Sequence, residues 1–150
     1  MQRLLNTNGK LLGVDFGDVR TGLAVSDPSR LLASGIGFIS PGGIEKTATA
    51  IAEAAKNERA VAIVVGLPVN MDGSEGSRAQ RCRKLARLLE EESALPVVMF
   101  DERMTTMTAS RYLNETNTKG KKRKGVIDTL SAQIILQNAL DRLKHQASAL

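Results

Sequence analysis

The stretch LLGVDFGDVRTGLAVSD, running from Leu11 to Asp27, predicts two strands joined by a tight turn around Gly17 and Asp18. The first strand is apolar except for a glycine and Asp15, which stands among residues that are typical of a buried core. An ionised carboxylate in such surroundings costs several kcal/mol unless a positive group compensates it. Asp15 therefore either lies at an exposed strand end or meets a positive charge.

The remainder of the chain predicts further strands and helices around this pair. A third strand is predicted from about Ala33 to Ile39, so the chain begins with an antiparallel meander of three strands. After the PGG break, helical spacing of apolar residues predicts a helix from Ile44 to Glu58. The runs Ala60 to Pro68 and PVVMF, the latter ending at Asp101, show no alternation, which is typical of strands covered on both faces. A helix from Glu75 to Glu92 is predicted between them.

Two more helices are predicted in the last third of the chain, from about Thr106 to Asn114 and from about Val126 to Leu143, separated by the polar, basic loop ETNTKGKKRKG. Three antiparallel strands followed by alternating helices and strands resemble the ribonuclease H-like layout. We therefore expect an α/β fold in which a mixed central sheet, three antiparallel strands and then parallel ones, has helices on both faces. A flavodoxin-like doubly wound fold needs helices between the first three strands, and the gaps are too short for them.

Bulk properties limit the classes of protein to which the chain can belong. The 150 residues are enough for one well-cored domain and too few for two, so we expect a single domain over residues 1–150. The net charge of +5 favours a polyanionic partner. The single cysteine, Cys82, excludes an internal disulfide and a cysteine-based zinc site. Because we find neither a signal-peptide core nor a membrane-length apolar run, we expect a cytoplasmic protein with no membrane partner.

Other acidic residues, from separate predicted elements, indicate which positive group compensates the charge of Asp15. Asp15 would lie near the middle of the sheet, Asp101 and Glu102 end a later strand, and Asp128 begins the last helix. Carboxylates brought close together repel unless a cation lies between them, so these acids predict a divalent-metal site. Oxygen ligands suit Mg²⁺ or Mn²⁺, and the chain has no paired histidines or cysteines for zinc. Such a site supports activation of water and stabilisation of the leaving oxygen in phosphodiester cleavage.

Each acid also has a structural interpretation that composition alone leaves open. Asp101 and Glu102 can cap the strand end or pair with Arg103, and Asp128 can be a first-turn acid favoured by the helix dipole. Asp15, inside an otherwise apolar strand, is the least easily explained in this way.

Four motifs stand in order along the chain: GVDFGDVRTGLAVSD, VVGLPVNMDGSEG, DERMTT and KGVIDTLSAQIILQ. Together they resemble the YqgF family, Holliday-junction-resolvase-like nucleases linked to maturation of the small-subunit ribosomal RNA precursor. The resemblance runs from about Leu11 to Leu143 and implies a ribonuclease H-like fold with metal-dependent nuclease activity. The acids that match the family pattern are Asp15, the Asp101–Glu102 pair and Asp128, all assigned as catalytic. Within the pair, the longer reach of Glu102 favours it as the metal ligand alongside Asp15 and Asp128.

Basic and polar side chains near these acids are candidate substrate contacts. A short turn after the first strand places one arginine within reach of a scissile phosphate, and the basic loop before the last helix can lay a phosphate backbone across the metal. The resemblance implies nucleic-acid partners, namely precursor ribosomal RNA and branched DNA, together with ribosomal particles, and we expect a monomer or weak dimer. The candidate contacts are Arg20, Asn70, Arg103, Lys121, Lys122, Arg123 and Lys124.

Two other functions compete with a nuclease. The segment DFGDVRTG also suits a phosphate loop of the actin and sugar-kinase type, but those enzymes close two related lobes around ATP and 150 residues supply only one. A catalytically silent nucleic-acid-binding module would use the same basic surface. This second alternative stays open, because sequence does not reveal the geometry of the carboxylates.

Overall fold

The computed structural model describes residues 1–104 and 121–149, without the side chains of residues 104, 121–126, 128 and 149. The predicted helix from Thr106 to Asn114 and the first part of the predicted basic loop lie outside the described residues. The elements are α1 (Gln2–Leu5), β1 (Leu11–Phe16), β2 (Thr21–Ser26), β3 (Ala33–Ile39), α2 (Ile44–Asn57), β4 (Ala62–Leu67), α3 (Ser77–Ser93), β5 (Val97–Asp101), a 3₁₀ turn (Glu102–Met104) and α4 (Lys121–Ala149).

The five strands form one mixed sheet in the order β3-β2-β1-β4-β5. β1, β2 and β3 are antiparallel, whereas β4 pairs in parallel with both β1 and β5. The prediction of a ribonuclease H-like α/β sheet, antiparallel first and then parallel, is confirmed. The ladder between β2 and the edge strand β3 shifts register between Leu23 and Ala24, so that Ile36 has no partner and forms a bulge.

Helices cover both faces of the sheet, as predicted. Alternation along β1 divides its side chains, because successive residues of a strand point to opposite faces. Leu12 and Val14 are fully buried in a core shared with α2 and α3, and Leu11 is buried in a second core shared with α4. By the same alternation, Asp15 belongs to the face covered by α4.

Glycines let α4 approach the sheet closely. A Cβ built on Gly13 would lie 2.7 Å from the Cβ of Leu136, and one on Gly66 would lie 2.6 Å from Cδ1 of Ile135. The Cβ of Leu136 is fixed to the helix backbone, so only glycine fits at position 13, whereas a side chain at position 66 would require the tip of Ile135 to move. The helix thus packs directly on the backbone of β1 and β4, next to the strand end that carries Asp15.

A clamp around Arg30 fastens the N-terminal segment to the turn between β2 and β3. The guanidinium donates hydrogen bonds of 2.8 Å to the carbonyl oxygens of Gly9 and Leu4 and to Oγ1 of Thr7. These three bonds hold the short helix α1, whose Leu4 is fully buried beneath α4.

The predicted start of the last helix was wrong. Helix α4 begins at Lys121 and not at Val126, so the segment KKRKG, predicted as part of a loop, is helical. Lysine and arginine are good helix formers, and a helix already held by packing extends at little cost. None of the helices in the described ranges is long and apolar enough to cross a membrane.

Candidate active site

Asp15 lies in β1, the middle strand of the five-stranded sheet. It is the penultimate residue of β1 and is partly buried, and its register partner on β2 is Gly22. The strand ends in a tight turn, where the N–H of Gly17 donates a 3.1 Å hydrogen bond to the carbonyl of Arg20. Asp15 is therefore positioned by backbone pairing, on the face covered by α4.

Glu102 is the second acid of the site and follows directly after β5. Its carboxyl carbon lies 3.4 Å from a Cβ built on Gly66, so the side chain extends over the glycine of β4, next to β1. Burial and, next, the charge of Asp15 raise the pKa of Glu102 to about 7, although the charge of Arg78 acts in the opposite direction. Two carboxylates thus repel each other in a poorly solvated space.

Asp101, the neighbour of Glu102, is engaged differently. Its Oδ2 accepts hydrogen bonds from Nη2 of Arg103 at 2.6 Å and from Nε at 3.0 Å, and its Oδ1 accepts the backbone N–H of Arg103 at 2.9 Å. The hydrogen bonds from Arg103 lower the pKa of Asp101. Of the two acids that the sequence left undecided, Asp101 is ion-paired and Glu102 faces Asp15.

The third predicted ligand, Asp128, is placed by its backbone only. It lies in α4, one turn before Ala132, whose carbonyl oxygen would be 3.3 Å from a Cβ on Gly13. The helix therefore carries residue 128 past the C-terminal half of β1. The side chains of Asp128 and of the predicted contacts Lys121, Lys122, Arg123 and Lys124 lie outside the described residues, so their roles stay predictions.

Where the structure describes side chains, no three histidine, cysteine, aspartate or glutamate residues come together as a metal site. Asp15 and Glu102 form a pair, and a third ligand has to come from elsewhere. Asp128 is the candidate that the sequence supplies.

Sequence reasoning missed the arginines of α3 that border this pair. Arg78 lies near enough to Glu102 to lower its pKa. Arg81 forms a 3.0 Å ion pair with Asp18, and its guanidinium lies 5.0 Å from the ring centroid of Phe16. Both follow the loop after β4, at the carboxyl end of a parallel strand, where ligands of α/β sheets bind. That position was the signal available in the sequence.

The thiol of Cys82 in α3 also responds to the charges of Asp15 and Glu102. Cys82 is 3% exposed, and burial raises the pKa of its thiol to about 11, with the charges of Glu102 and Asp15 contributing in the same direction. Both carboxylates therefore act electrostatically on the same buried thiol.

The other predicted substrate contacts are held in local interactions. Cζ of Arg20 lies 5.8 Å from the ring centroid of Phe38 on the edge strand. Nδ2 of Asn70 donates a 3.0 Å hydrogen bond to Oγ of Ser74, which closes the loop after β4. Arg103 is held by Asp101 and reaches toward this loop, with Nη1 3.8 Å from a Cβ built on Gly73. Their predicted contacts with substrate stay predictions.

Known proteins resemble this chain over most of its length. A family model described as "RuvX: Holliday junction resolvase" matches residues 9–142. A relative from Ruminiclostridium cellulolyticum is 37% identical over 135 residues, which are 89% of this chain and 95% of the relative. One from Phenylobacterium zucineum is 44% identical over 140 residues, 92% and 90% of the two chains. Both carry the name "Putative pre-16S rRNA nuclease".

A solved structure of RuvC from Thermus thermophilus, in complex with a Holliday junction substrate, has the same fold. Its TM-score is 0.57 at 15% sequence identity, with 91% of this chain and 96% of the RuvC chain covered.

Proposed function

This chain belongs to the RuvX family, also called YqgF, and from that membership we propose that it is a metal-dependent nuclease that cleaves phosphodiester bonds in the small-subunit ribosomal RNA precursor. One observation carries the proposal. Asp15 lies in β1 and Glu102 directly follows β5, both beside glycines under α4, and the charge of Asp15 contributes to a Glu102 pKa of about 7. Two neighbouring carboxylates destabilise the folded state, so their presence here favours a functional role over a structural one.

The donor set fits a divalent cation. Two neighbouring carboxylates, in which the charge of Asp15 helps to raise the pKa of Glu102, supply hard oxygen ligands and an excess of negative charge, which Mg²⁺ or Mn²⁺ neutralises. Asp15 and Glu102 would hold the ion, with Asp128 from α4 as the third ligand. When bound, such an ion activates water and stabilises the leaving oxygen of a phosphodiester.

The chain's own residues prepare the site for a phosphate backbone. Arg78 supplies positive charge beside Glu102, and Arg81 is held near the end of β1 by Asp18. Arginine recognises phosphate by paired hydrogen bonds and keeps its charge at all working pH values. We expect these two side chains to orient the substrate, while Glu102 gives up its proton when the cation is bound.

The test compares the wild type with Asp15→Asn on labelled precursor ribosomal RNA, with Mg²⁺ or Mn²⁺ and with a chelator. Asparagine keeps the size of the side chain and removes the charge, so the fold and RNA affinity survive and metal-dependent cleavage is lost. The matched control is Asp141→Asn, an exposed acid near the far end of α4, which cleaves like the wild type. Cleavage by Asp15→Asn at the wild-type rate would refute the assignment.

Branched DNA is the second candidate substrate. The family description and the RuvC neighbour both concern Holliday junctions, which favours including a four-way junction in the same assay. If the wild type cleaves the junction and leaves the RNA intact, the substrate assignment changes and the nuclease assignment stands. If it cleaves neither with either metal, and Asp15→Asn binds as well as the wild type, the chain is a silent binding module.

A further inference from the structure

Phe38 is the exposed member of the three phenylalanines in the chain. Its exposed fraction is 47%, whereas Phe16 is 8% exposed and Phe100 is 3% exposed. It lies on the edge strand β3, opposite Gly22, and Gly22 in turn lies opposite Asp15. Directly opposed residues of antiparallel strands project from the same face. Phe38 and Asp15 therefore share one face of the sheet, two strand spacings or about 10 Å apart.

The strand between them contributes no side chain, because its residue in this row is Gly22. Helix α4 crosses β3 nearer its other end, where Gln137 and Gln133 accept the backbone N–H groups of Ala33 and Gly35 at 2.9 and 3.2 Å. Between Asp15 and the half-exposed ring of Phe38, this row of the sheet therefore has no side chain of its own.

Arg20 adds a cation to this ring. Its Cζ lies 5.8 Å from the ring centroid of Phe38, within the range of a cation–π interaction, and Phe38 remains 47% exposed with the guanidinium in place. A second contact holds the turn that carries Arg20 to the end of β3, because Oγ of Ser40 donates a 2.8 Å hydrogen bond to the carbonyl of Val19. An aromatic ring with an adjacent arginine is the combination on which unpaired bases stack and toward which their phosphates are drawn.

We propose that Phe38 and Arg20 form a stacking subsite for one unpaired base of the nucleic-acid substrate, beside the carboxylate pair. The proposal rests on the proposed function, because it requires a bound nucleic-acid strand that also reaches Asp15. At a rise of 3.4 Å per stacked nucleotide, a separation of about 10 Å puts the held base within about three nucleotides of the bond that is cut. The subsite selects single-stranded segments, because a base within a duplex has no free face.

The experiment measures binding of a fluorescent single-stranded RNA in the presence of a chelator, so that no cleavage occurs. Phe38→Leu keeps an apolar side chain and removes the aromatic face, and it should bind roughly ten-fold more weakly than the wild type. Phe38→Trp should bind at least as well as the wild type. Leu32→Ala is the matched control, because Leu32 is also exposed, at 68%, and immediately precedes the other end of β3.

Two further arms separate stacking from charge. An oligonucleotide of the same length with abasic positions should bind equally to the wild type and to Phe38→Leu, since it has no base to stack. Arg20→Gln should reduce the slope of log affinity against log salt by about 0.7, the value for one phosphate contact on a single strand. Phe38→Leu should leave that slope unchanged.

The outcomes distinguish this subsite from the nuclease assignment. If Phe38→Leu binds RNA like the wild type while the wild type still cleaves with metal, the subsite is refuted and the nuclease stands. If the variant changes the sedimentation of the protein and leaves RNA affinity unaltered, the edge is a contact between copies and the subsite is likewise refuted. If the wild type neither binds nor cleaves nucleic acid, both proposals fall.

Discussion

Replacing Glu102 by glutamine is expected to stabilise the metal-free protein at pH 8 and to change it little near pH 4.5. In the unfolded chain this carboxyl group loses its proton near 4.5, the ordinary pKa of a glutamate, whereas in the fold burial and, next, the charge of Asp15 raise its pKa to about 7. Between these values the folded state binds more protons than the unfolded state. The stability of the wild type therefore falls as pH rises through this interval and levels off above pH 7.

The size of the effect follows from the same two values. At 1.36 kcal/mol per pH unit, ionising Glu102 in the fold costs about 3 kcal/mol at most. The side chain is only partly buried, so solvent screening reduces this cost to about 2 kcal/mol. In a protein of this length, such a change in the free energy of unfolding shifts Tm by about 4–8 °C. Glutamine keeps the shape of the side chain and carries no charge.

The assay is thermal unfolding followed by circular dichroism, in a chelator, at pH 5, 6, 7 and 8. The Tm difference between Glu102→Gln and the wild type should be small at pH 5 and should grow up to pH 7. Glu91→Gln, an exposed glutamate of α3, serves as the control and should follow the wild type throughout. A Tm difference for Glu102→Gln that is the same at all four pH values would refute the raised pKa of Glu102 in the folded protein.

Three other substitutions test further parts of the structure. Gly13→Ala should destabilise the protein by about 1–3 kcal/mol in urea unfolding, because the new methyl group collides with Leu136 beneath α4; an unchanged midpoint would contradict the close approach. Arg30→Ala should cost about 2–3 kcal/mol in the same assay, since three hydrogen bonds to the N-terminal segment are lost, and Arg30→Lys should not restore them. Replacing residues 121–124 by glutamine preserves helix propensity and should flatten the salt dependence of RNA binding by up to about 3 in log–log slope; an unaltered slope would remove this segment from the interface.

The strands could be predicted from sequence because their signal is local. The bounds expected for β1, Leu11–Phe16, and for β2, Thr21–Ser26, coincide with those of the structure, since period-two alternation and a glycine turn define them without reference to other elements. The start of α4 could not be predicted in this way. A run of basic residues is compatible with both a loop and a helix, and the choice depends on the packed turns that follow it.

The candidate site could be predicted only in part. The isolated acid in β1 and the acids after β5 were visible in the sequence, but the partner of each depends on side-chain direction. The structure pairs Asp101 with Arg103 and leaves Glu102 facing Asp15. Phe38 was not predicted as a site residue, because an aromatic residue in a predicted strand normally belongs to the core. Its exposure depends on where α4 crosses the sheet, which the sequence does not reveal.

The bulge in the edge strand also bears on self-assembly. An open edge exposes unpaired N–H and C=O groups to which a strand of another molecule can add, and this is a common route to aggregation. In β3 the extra residue Ile36 interrupts the ladder, and the following Gly37 has a φ of 115°, so the edge does not present the regular hydrogen-bonding row that an incoming strand requires. β3 can thus carry exposed apolar side chains at the edge of the sheet while its irregular backbone disfavours pairing with a strand of another molecule.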